Sequence, residues 1–508
     1  MTAKAPNILI VMADQMAPAF LPIYGHALTR APHMQALAGS GVVFESAYCN
    51  SPLCSPSRAS FMSGRLPSST RVYDNAAEFS ADIPTFAHCL RLRGYRTILC
   101  GKMHFCGPDQ LHGFEQRLTT DIYPADYGWT PDWDHPERRP AWYHNMSSVV
   151  QAGVCVRTNQ LDFDDEVAFT AERAIFDIAR SKDARPFLLV ASFAHPHDPF
   201  AVPQRYWDLY RDSDIDMPAR AIAPDALDPH SRRLRHVCAM DAEPVTDAEV
   251  RNARHAYYGA ISYIDDHLGR LMEALRSAGL AEDTIVVLTS DHGEMLGERG
   301  LWYKMSFFEG ACRVPLVVAN PDRFTPRRVA SSVSLVDLLP TLIDISGGDA
   351  LLLGTSIDGR SLGAHLDGKA GHDEAIGEYL AEGAIAPLVM IRRGEFKFIH
   401  SAPDPDQLFD LKRDPGEREN LAGKEQCAAL IADFRAEIGR RWDLAELDGK
   451  LRESQRRRRL IDAALSKGEI RAWDFQPFRD AGRQYIRNSM DLDDLEAMAR
   501  FPRVGPRI

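Results

Sequence analysis

Two carboxylates, an imidazole, an amide and a thiol stand where this chain could bring them together. Asp14-Gln15 follows the apolar run 7–13, and Asp291-His292-Gly293 follows the run 284–290. Both runs have the length and unbroken apolar character of strands buried on both faces of a parallel sheet. Groups at the carboxyl ends of such strands gather at one edge, where open α/β sheets carry their ligands. Asp14, Asp291, His292 and Gln15 then form a mixed oxygen and nitrogen set suited to a divalent cation. Cys54 lies in the stretch 51–65, which reads as a loop turning into a helix. Pro56 fits the first turn, and Ser57 and Ser60 can satisfy backbone groups there. A cysteine at that end could act as an activated thiolate. Lys102 and His104, two apart after the strand 96–100, share a side and make an anion pocket. His195 opens a proline-punctuated turn beyond the strand 186–194; His197 and Asp198 in that turn read as structural. Each group also has a plainer reading: a buried loop cysteine, a turn after a strand, a solvated surface charge. Cys100, His104 and Cys106 match no structural zinc spacing.

The elements that would position these groups alternate. Helices are expected over 32–40, 84–93, 164–182, 247–278 and 336–346, and further strands over 42–44 and 314–319. The alternation over 1–350 predicts an α/β fold, a large mixed but mostly parallel sheet sandwiched by helices. From about 376 the pattern changes: 388–393 and 396–399 flank Gly394-Glu395 as a hairpin of a smaller antiparallel sheet. The expected units are a catalytic domain over 1–375, a small C-terminal subdomain over 376–445 and a tail over 446–508. Residues 119–160 form a long aromatic loop without periodicity, of the kind that carries function. Residues 212–245 read as a surface excursion, and Arg456 to Arg459 form a basic run.

At 508 residues the chain can bury a large core, and 45% hydrophobic with 26% charged residues is the composition of a globular protein. A net charge of −12 argues against nucleic acid as a partner. Nine irregularly spaced cysteines read as reduced thiols rather than a disulfide framework. The opening apolar run is too short for a membrane span and lacks a cleavage site. The expected location is cytoplasmic.

The order Cys54-Ser55-Pro56-Ser57-Arg58, closed by Ser63-Gly64-Arg65, resembles the signature of type I sulfatases of the alkaline phosphatase superfamily. The resemblance implies that Cys54 is oxidised to 3-oxoalanine (formylglycine), by a formylglycine-generating enzyme or an equivalent. It implies a metal set of Asp14, Cys54, Asp291 and His292. Family pairs are usually Asp-Asp and Asp-Asn; the pairs here resemble the branch holding choline sulfatases and phosphonate monoester hydrolases. Calcium suits the carboxylates, and manganese suits the histidine better. Lys304 is placed in the site by the same resemblance.

The runs 71–78, 107–115, 118–131, 297–302 and 485–493 resemble bacterial choline sulfatases in particular, over essentially the whole chain. That likeness implies a trimethylammonium pocket of Trp129, His144, Glu382 and Asp493, the last from a neighbour's tail, and a homo-oligomer, a tetramer. A quaternary ammonium has no N–H to donate, so only aromatic faces and charge can recognise it. The implied reaction cleaves choline-O-sulfate through a formylglycine–sulfate ester. Arg58 holds the hydrate of Cys54, and Lys102, Lys304 and Asn75 bind the sulfuryl oxygens. His195 with Lys304 protonates the leaving alkoxide, and His104 takes the proton that releases sulfate. Three alternatives stay open: a phosphonate monoester hydrolase or phosphodiesterase, a broad arylsulfatase, and an inactive binding protein on the same scaffold.

Overall fold

The computed structural model describes residues 5–219, 222, 226–348, 354–480, 484–487 and 490–502. Its centre is an eight-stranded mixed sheet. The pivot is Asn7–Ala13, buried at every position, with Phe187–Phe193 and Thr284–Ser290 parallel on either side. Beyond Phe187–Phe193 come Arg96–Gly101 and the short edge strand Gln116–Arg117, again parallel. Beyond Thr284–Ser290 comes Arg313–Ala319, antiparallel to both of its neighbours, then Gly41–Tyr48 and Arg327–Ser334. The three central strands are continuous apolar runs because both faces are covered. Asp14, His195–Asp198 and Asp291–His292 therefore leave the sheet side by side, since parallel neighbours end at the same edge.

Helices pack on the sheet in two groups. Asn159–Arg180 and Asp247–Ser277 contact each other in one; Cys54–Ser63, Phe86–Leu92 and Leu338–Ile345 meet in the other. Asp247–Ser277 starts at a reciprocal cap in which Thr246 and Glu249 satisfy each other's backbone N–H groups. The second sheet is antiparallel: Glu374–Tyr379, Leu388–Arg393, Phe396–Ser401 and Gln407–Asp410. Its strand Leu388–Arg393 alternates. Leu388 and Met390 join the main core, while Val389 and Ile391 pack in a separate core with Phe434 of the helix Ala428–Arg441. The helix Leu444–Leu465 comes next.

Several elements differ from the sequence expectation. Arg327–Ser334 is an edge strand, hidden by its arginines and serines because only one side pairs. The expected surface excursion contains the helix Pro229–Val237, capped by Asp228. Gly41–Tyr48 is longer than the short strand expected, with Glu45 and Ser46 falling at its register shift. The tail carries the exposed helix Leu492–Ala499, and Arg180 donates to the Ala499 carbonyl. Asn488 and Ser489 of the tail run lie outside the described residues. Among the described residues no helix is long and apolar enough to cross a membrane.

Candidate active site

Cys54 is the first residue of the helix Cys54–Ser63, every residue of which is buried. Gly64 ends the helix at φ 66°, a left-handed conformation that suits glycine. The first turn is satisfied from outside: Asn75 Oδ1 accepts from the Ser55 N–H at 3.0 Å. Ser57 does not cap its own helix. Its hydroxyl donates to the Asp291 carbonyl at 2.5 Å and so ties the helix to the end of Thr284–Ser290.

Arg58, fully buried, organises the charges. Its Nη2 lies 2.9 Å from Asp14 Oδ2 and its Nε 2.8 Å from Asp291 Oδ2. Nη1 donates to the Lys102 carbonyl at 2.6 Å and to Ser192 Oγ at 2.9 Å. One guanidinium thus joins groups from four strand ends, which only its fixed planar fork can do. Lys102 pairs with Asp14 Oδ2 and stands 3.8 Å from Cys54 Sγ. His292 Nε2 lies 3.2 Å from the same sulfur. Burial alone would raise the Asp14 pKa; Lys102 and Arg58 outweigh it and hold the carboxyl well below the usual range. Burial lowers the His292 pKa despite Asp291 beside it, which keeps the imidazole neutral and able to ligate.

A divalent cation fits here. Asp14, Cys54, Asp291 and His292 each offer one donor atom, and the four atoms lie within 4.8 Å of one another. Asp14 Oδ1 is buried without a hydrogen-bond partner. Gln15 is placed differently from the sequence expectation of a ligand amide. Its side chain bridges Glu294 Oε2 at 2.5 Å and Lys304 Nζ at 2.6 Å. Burial pushes the Glu294 pKa up to about 7, against the Leu296 and Tyr303 N–H groups that donate to its other oxygen.

Lys304 Nζ also lies 2.7 Å from His197 Nε2. Burial disfavours its ammonium, but Cys54, Asp198 and Asp14 outweigh that and raise the lysine pKa. Burial and Lys304 together hold the His197 pKa well below its ordinary value, so neutral His197 accepts from the lysine. His197 Nδ1 then donates to the Asp198 carbonyl at 2.7 Å. The turn following Phe187–Phe193 delivers His197, not His195, to Lys304. The His195 ring is 2.7 Å from Asp164 Oδ2, and Asp164 also accepts the Ala194 and His195 N–H groups. Sequence reading passed over His197 because both histidines border prolines. The one available signal was its place just beyond a strand end, as with Lys102 and His104.

Next to these charges lies an aromatic wall. Lys102 Nζ sits 4.0 Å above the Tyr123 ring, and Tyr123 meets Trp129 edge-on at 5.2 Å. His104, buried with both ring nitrogens unpartnered, is 5.1 Å from Tyr123 and 5.8 Å from Trp129. Trp142 stacks beyond Trp129. His144 stacks on Tyr303 at 4.4 Å and lies 3.6 Å from Asp198 Oδ2. Glu382 is buried, its Oε2 has no partner, and burial raises its pKa to about 7. The structure brings Tyr123, Trp142 and Tyr303 to this region, none of which the sequence singled out. Asp493 is exposed on Leu492–Ala499, and among the described residues no contact ties it to the site.

Residues 6–348 match the Sulfatase family model. The chain belongs to the sulfatase family. Residues 297–442 match the model described as N-sulphoglucosamine sulphohydrolase, C-terminal, and residues 450–501 that of Choline sulfatase enzyme C terminal. This sulfatase is 48% identical over 512 residues to the choline-sulfatase of Rhizobium meliloti (strain 1021), covering 99% of this chain and 100% of the relative. It is 31% identical over 392 residues to the iduronate 2-sulfatase of Mus musculus, covering 68% and 69% of the two chains. Among solved structures, the phosphonate monoester hydrolase of Agrobacterium radiobacter superposes with a TM-score of 0.68 at 27% identity, covering 88% of this chain and 96% of that one. The architecture is thus the alkaline phosphatase/sulfatase-like fold that the family resemblance implied, with the α/β layers that the alternating pattern predicts.

Proposed function

We propose that this sulfatase hydrolyses choline-O-sulfate to choline and sulfate. The observation that carries the proposal is a cluster of cations around Cys54 with aromatic rings beside it. Arg58, Lys102 and Lys304 surround Cys54, while Tyr123 and Trp129 meet edge-on beside Lys102, and the buried Glu382 carboxyl stands without a partner on Oε2. A zwitterionic ester with an anionic sulfuryl group and a quaternary ammonium suits both. The Rhizobium relative named choline-sulfatase, similar over its whole length, supports the same reading.

In this scheme Asp14, Asp291, His292 and the residue made from Cys54 hold a divalent ion, calcium by its carboxylates, with manganese favoured by the histidine nitrogen. When present, that ion and the hydrated carbonyl supply a Lewis acid and an oxygen nucleophile at position 54. Arg58 fixes the two carboxylates. Lys102, Asn75 and Lys304 bind the sulfuryl oxygens and meet charge that develops on them. Lys304 Nζ with His197 Nε2 supplies the proton for the leaving choline oxygen, a role that passes from His195 to His197. His104, with free ring nitrogens, accepts the proton that resets the site. Trp129 and His144 wall the ammonium end, and Glu382 supplies its countercharge.

Maturation of Cys54 requires a formylglycine-generating enzyme or its equivalent. The tail exposes Ile470, Phe478 and Ile486, apolar surface that suits contact with another copy, and Asp493 of a partner would then reach the pocket. A homotetramer in the cytoplasm is the proposed working form.

Steady-state kinetics on choline-O-sulfate, an aryl sulfate and a phenyl phosphonate monoester test the substrate. The expected order of kcat/KM places choline-O-sulfate first. A preference for the phosphonate ester would transfer the assignment to the hydrolase class of the Agrobacterium structure.

A further inference from the structure

The basic run Arg456–Arg459 sits on the C-terminal helix Leu444–Leu465, yet it is not solvated throughout: Arg456 and Arg457 are exposed, and Arg458 is not. Arg458 is buried and forks onto Asp74, with Nη1 and Nη2 each 2.7 Å from one carboxylate oxygen. Nη1 also donates to Thr130 Oγ1 at 3.2 Å. Asp74 directly precedes Asn75, and Thr130 directly follows Trp129. Three residues earlier on the helix, Gln455 Oε1 accepts the Trp133 N–H at 2.9 Å. Three earlier again, Arg452 donates to the Trp133 carbonyl at 2.6 Å and to the Ile385 carbonyl at 2.8 Å. Trp133 Nε1 closes the circuit on the Ala381 carbonyl, next to Glu382, at 3.0 Å. Positions 452, 455 and 458 share one helix face.

These bonds matter because the segment 118–146 contains no helix or strand. A stretch without its own backbone ladder keeps one conformation only through outside anchors. We propose that Arg458, with Arg452 and Gln455 on the same face, is a specificity-determining positioning residue: it fixes, within one chain, the three walls that carry Asn75, Trp129 and Glu382. This assigns the helix a role in cis, distinct from any contribution of a neighbour's tail. The substrate arm rests on the choline-O-sulfate reading; the structural arm does not. Arg458 touches no reacting atom. Its planar fork satisfies both Asp74 oxygens and Thr130 at once, which a lysine's point charge cannot.

The test uses the full-length matured enzyme and two variants, Arg458→Lys and Arg452→Met. Arg458→Lys keeps the buried countercharge for Asp74, so the fold is retained. The kinetic readout is the ratio of kcat/KM for choline-O-sulfate to that for 4-nitrophenyl sulfate, which has no cation. A misplaced ammonium wall predicts a fall of about tenfold or more in that ratio, carried by KM on choline-O-sulfate. The second readout is amide hydrogen exchange, expected to rise together over 71–79, 125–134 and 380–386 and nowhere else. Equal losses on both esters, exchange raised throughout the chain, or exchange unchanged in all three segments would each overturn the inference. If wild-type enzyme shows no preference for choline-O-sulfate, the substrate reading fails, and the exchange pattern alone decides the clamp.

Discussion

Lys304 Nζ and His197 Nε2 stand 2.7 Å apart in a fully buried part of the site, the lysine donating. Two cationic groups could not share that space. The lowered His197 and raised Lys304 pKa values place the proton on the lysine. The pair matters most for an ester whose leaving oxygen is strongly basic. Replacing His197 with Ala is expected to lower kcat on choline-O-sulfate by about 10²- to 10⁴-fold, the usual weight of general acid catalysis. On an aryl sulfate, whose phenolate leaves without a proton, the loss is expected to be at least tenfold smaller, about one decade or less. His195→Ala, by the same measurement, is expected to act equally on both esters, because its ring is bound to Asp164.

In the proposed scheme Trp129 serves only the ammonium end, so its removal separates binding from chemistry. Trp129→Ala should raise KM for choline-O-sulfate by about 2- to 30-fold, equivalent to one cation–π contact of about 0.5–2 kcal/mol. Trp129→Phe should recover part of that loss. Equal KM changes for choline-O-sulfate and an uncharged alkyl sulfate would show that the ring only anchors its loop.

On the proposed reading, the Glu382 carboxyl gives substrate binding a pH dependence with a definite sign. Burial is the main cause that raises its pKa to about 7, and Asp74 adds to it. Below that pH the folded, empty enzyme holds a neutral carboxyl; above it, a carboxylate that attracts the ammonium. Binding of the cation favours the ionised form and expels a proton. KM for choline-O-sulfate should therefore fall as pH rises through about 7. The pH profile of Glu382→Gln is expected to lose this limb, and the aryl sulfate profile should lack it in both proteins.

Much of the frame was legible because its signals are local. The run 7–13 is apolar at every position, and Asn7–Ala13 is the buried pivot of the sheet. The hairpin around Gly394 was equally plain, since two short runs flank Gly394-Glu395, and Leu388–Arg393 pairs antiparallel with Phe396–Ser401. Arg327–Ser334 escaped because an edge strand can keep polar residues facing water. In the site, groups that close a strand could be picked out one at a time. His197 could not be told from His195, because only the three bonds gathered by Asp164 decide which ring turns toward Lys304. The link from Arg458 to Asp74 spans 384 residues and leaves no periodic trace. A run of arginines reads as a solvated surface until the acids facing it are known.

The four donor atoms from Asp14, Cys54, Asp291 and His292 predict the effect of metal removal. With the ion stripped, Asp14 Oδ1 would be a buried oxygen without a partner, and an unsatisfied group of that kind costs about 1–3 kcal/mol or more when charged. Exhaustive chelation is therefore expected to abolish turnover and to lower the thermal midpoint, with secondary structure retained at 25 °C because Arg58 and Lys102 still neutralise Asp14. Metal content by plasma emission should be about one ion per chain before treatment and near zero after. Adding back calcium and manganese separately, and reading both activity and thermal midpoint, identifies the resident ion. Asp14→Asn should imitate chelation in both readouts and resist rescue by either metal. Full activity in the chelated enzyme would instead mean that Arg58, Lys102 and Lys304 alone carry the charge of the sulfuryl group, and the cation would have no place in this site.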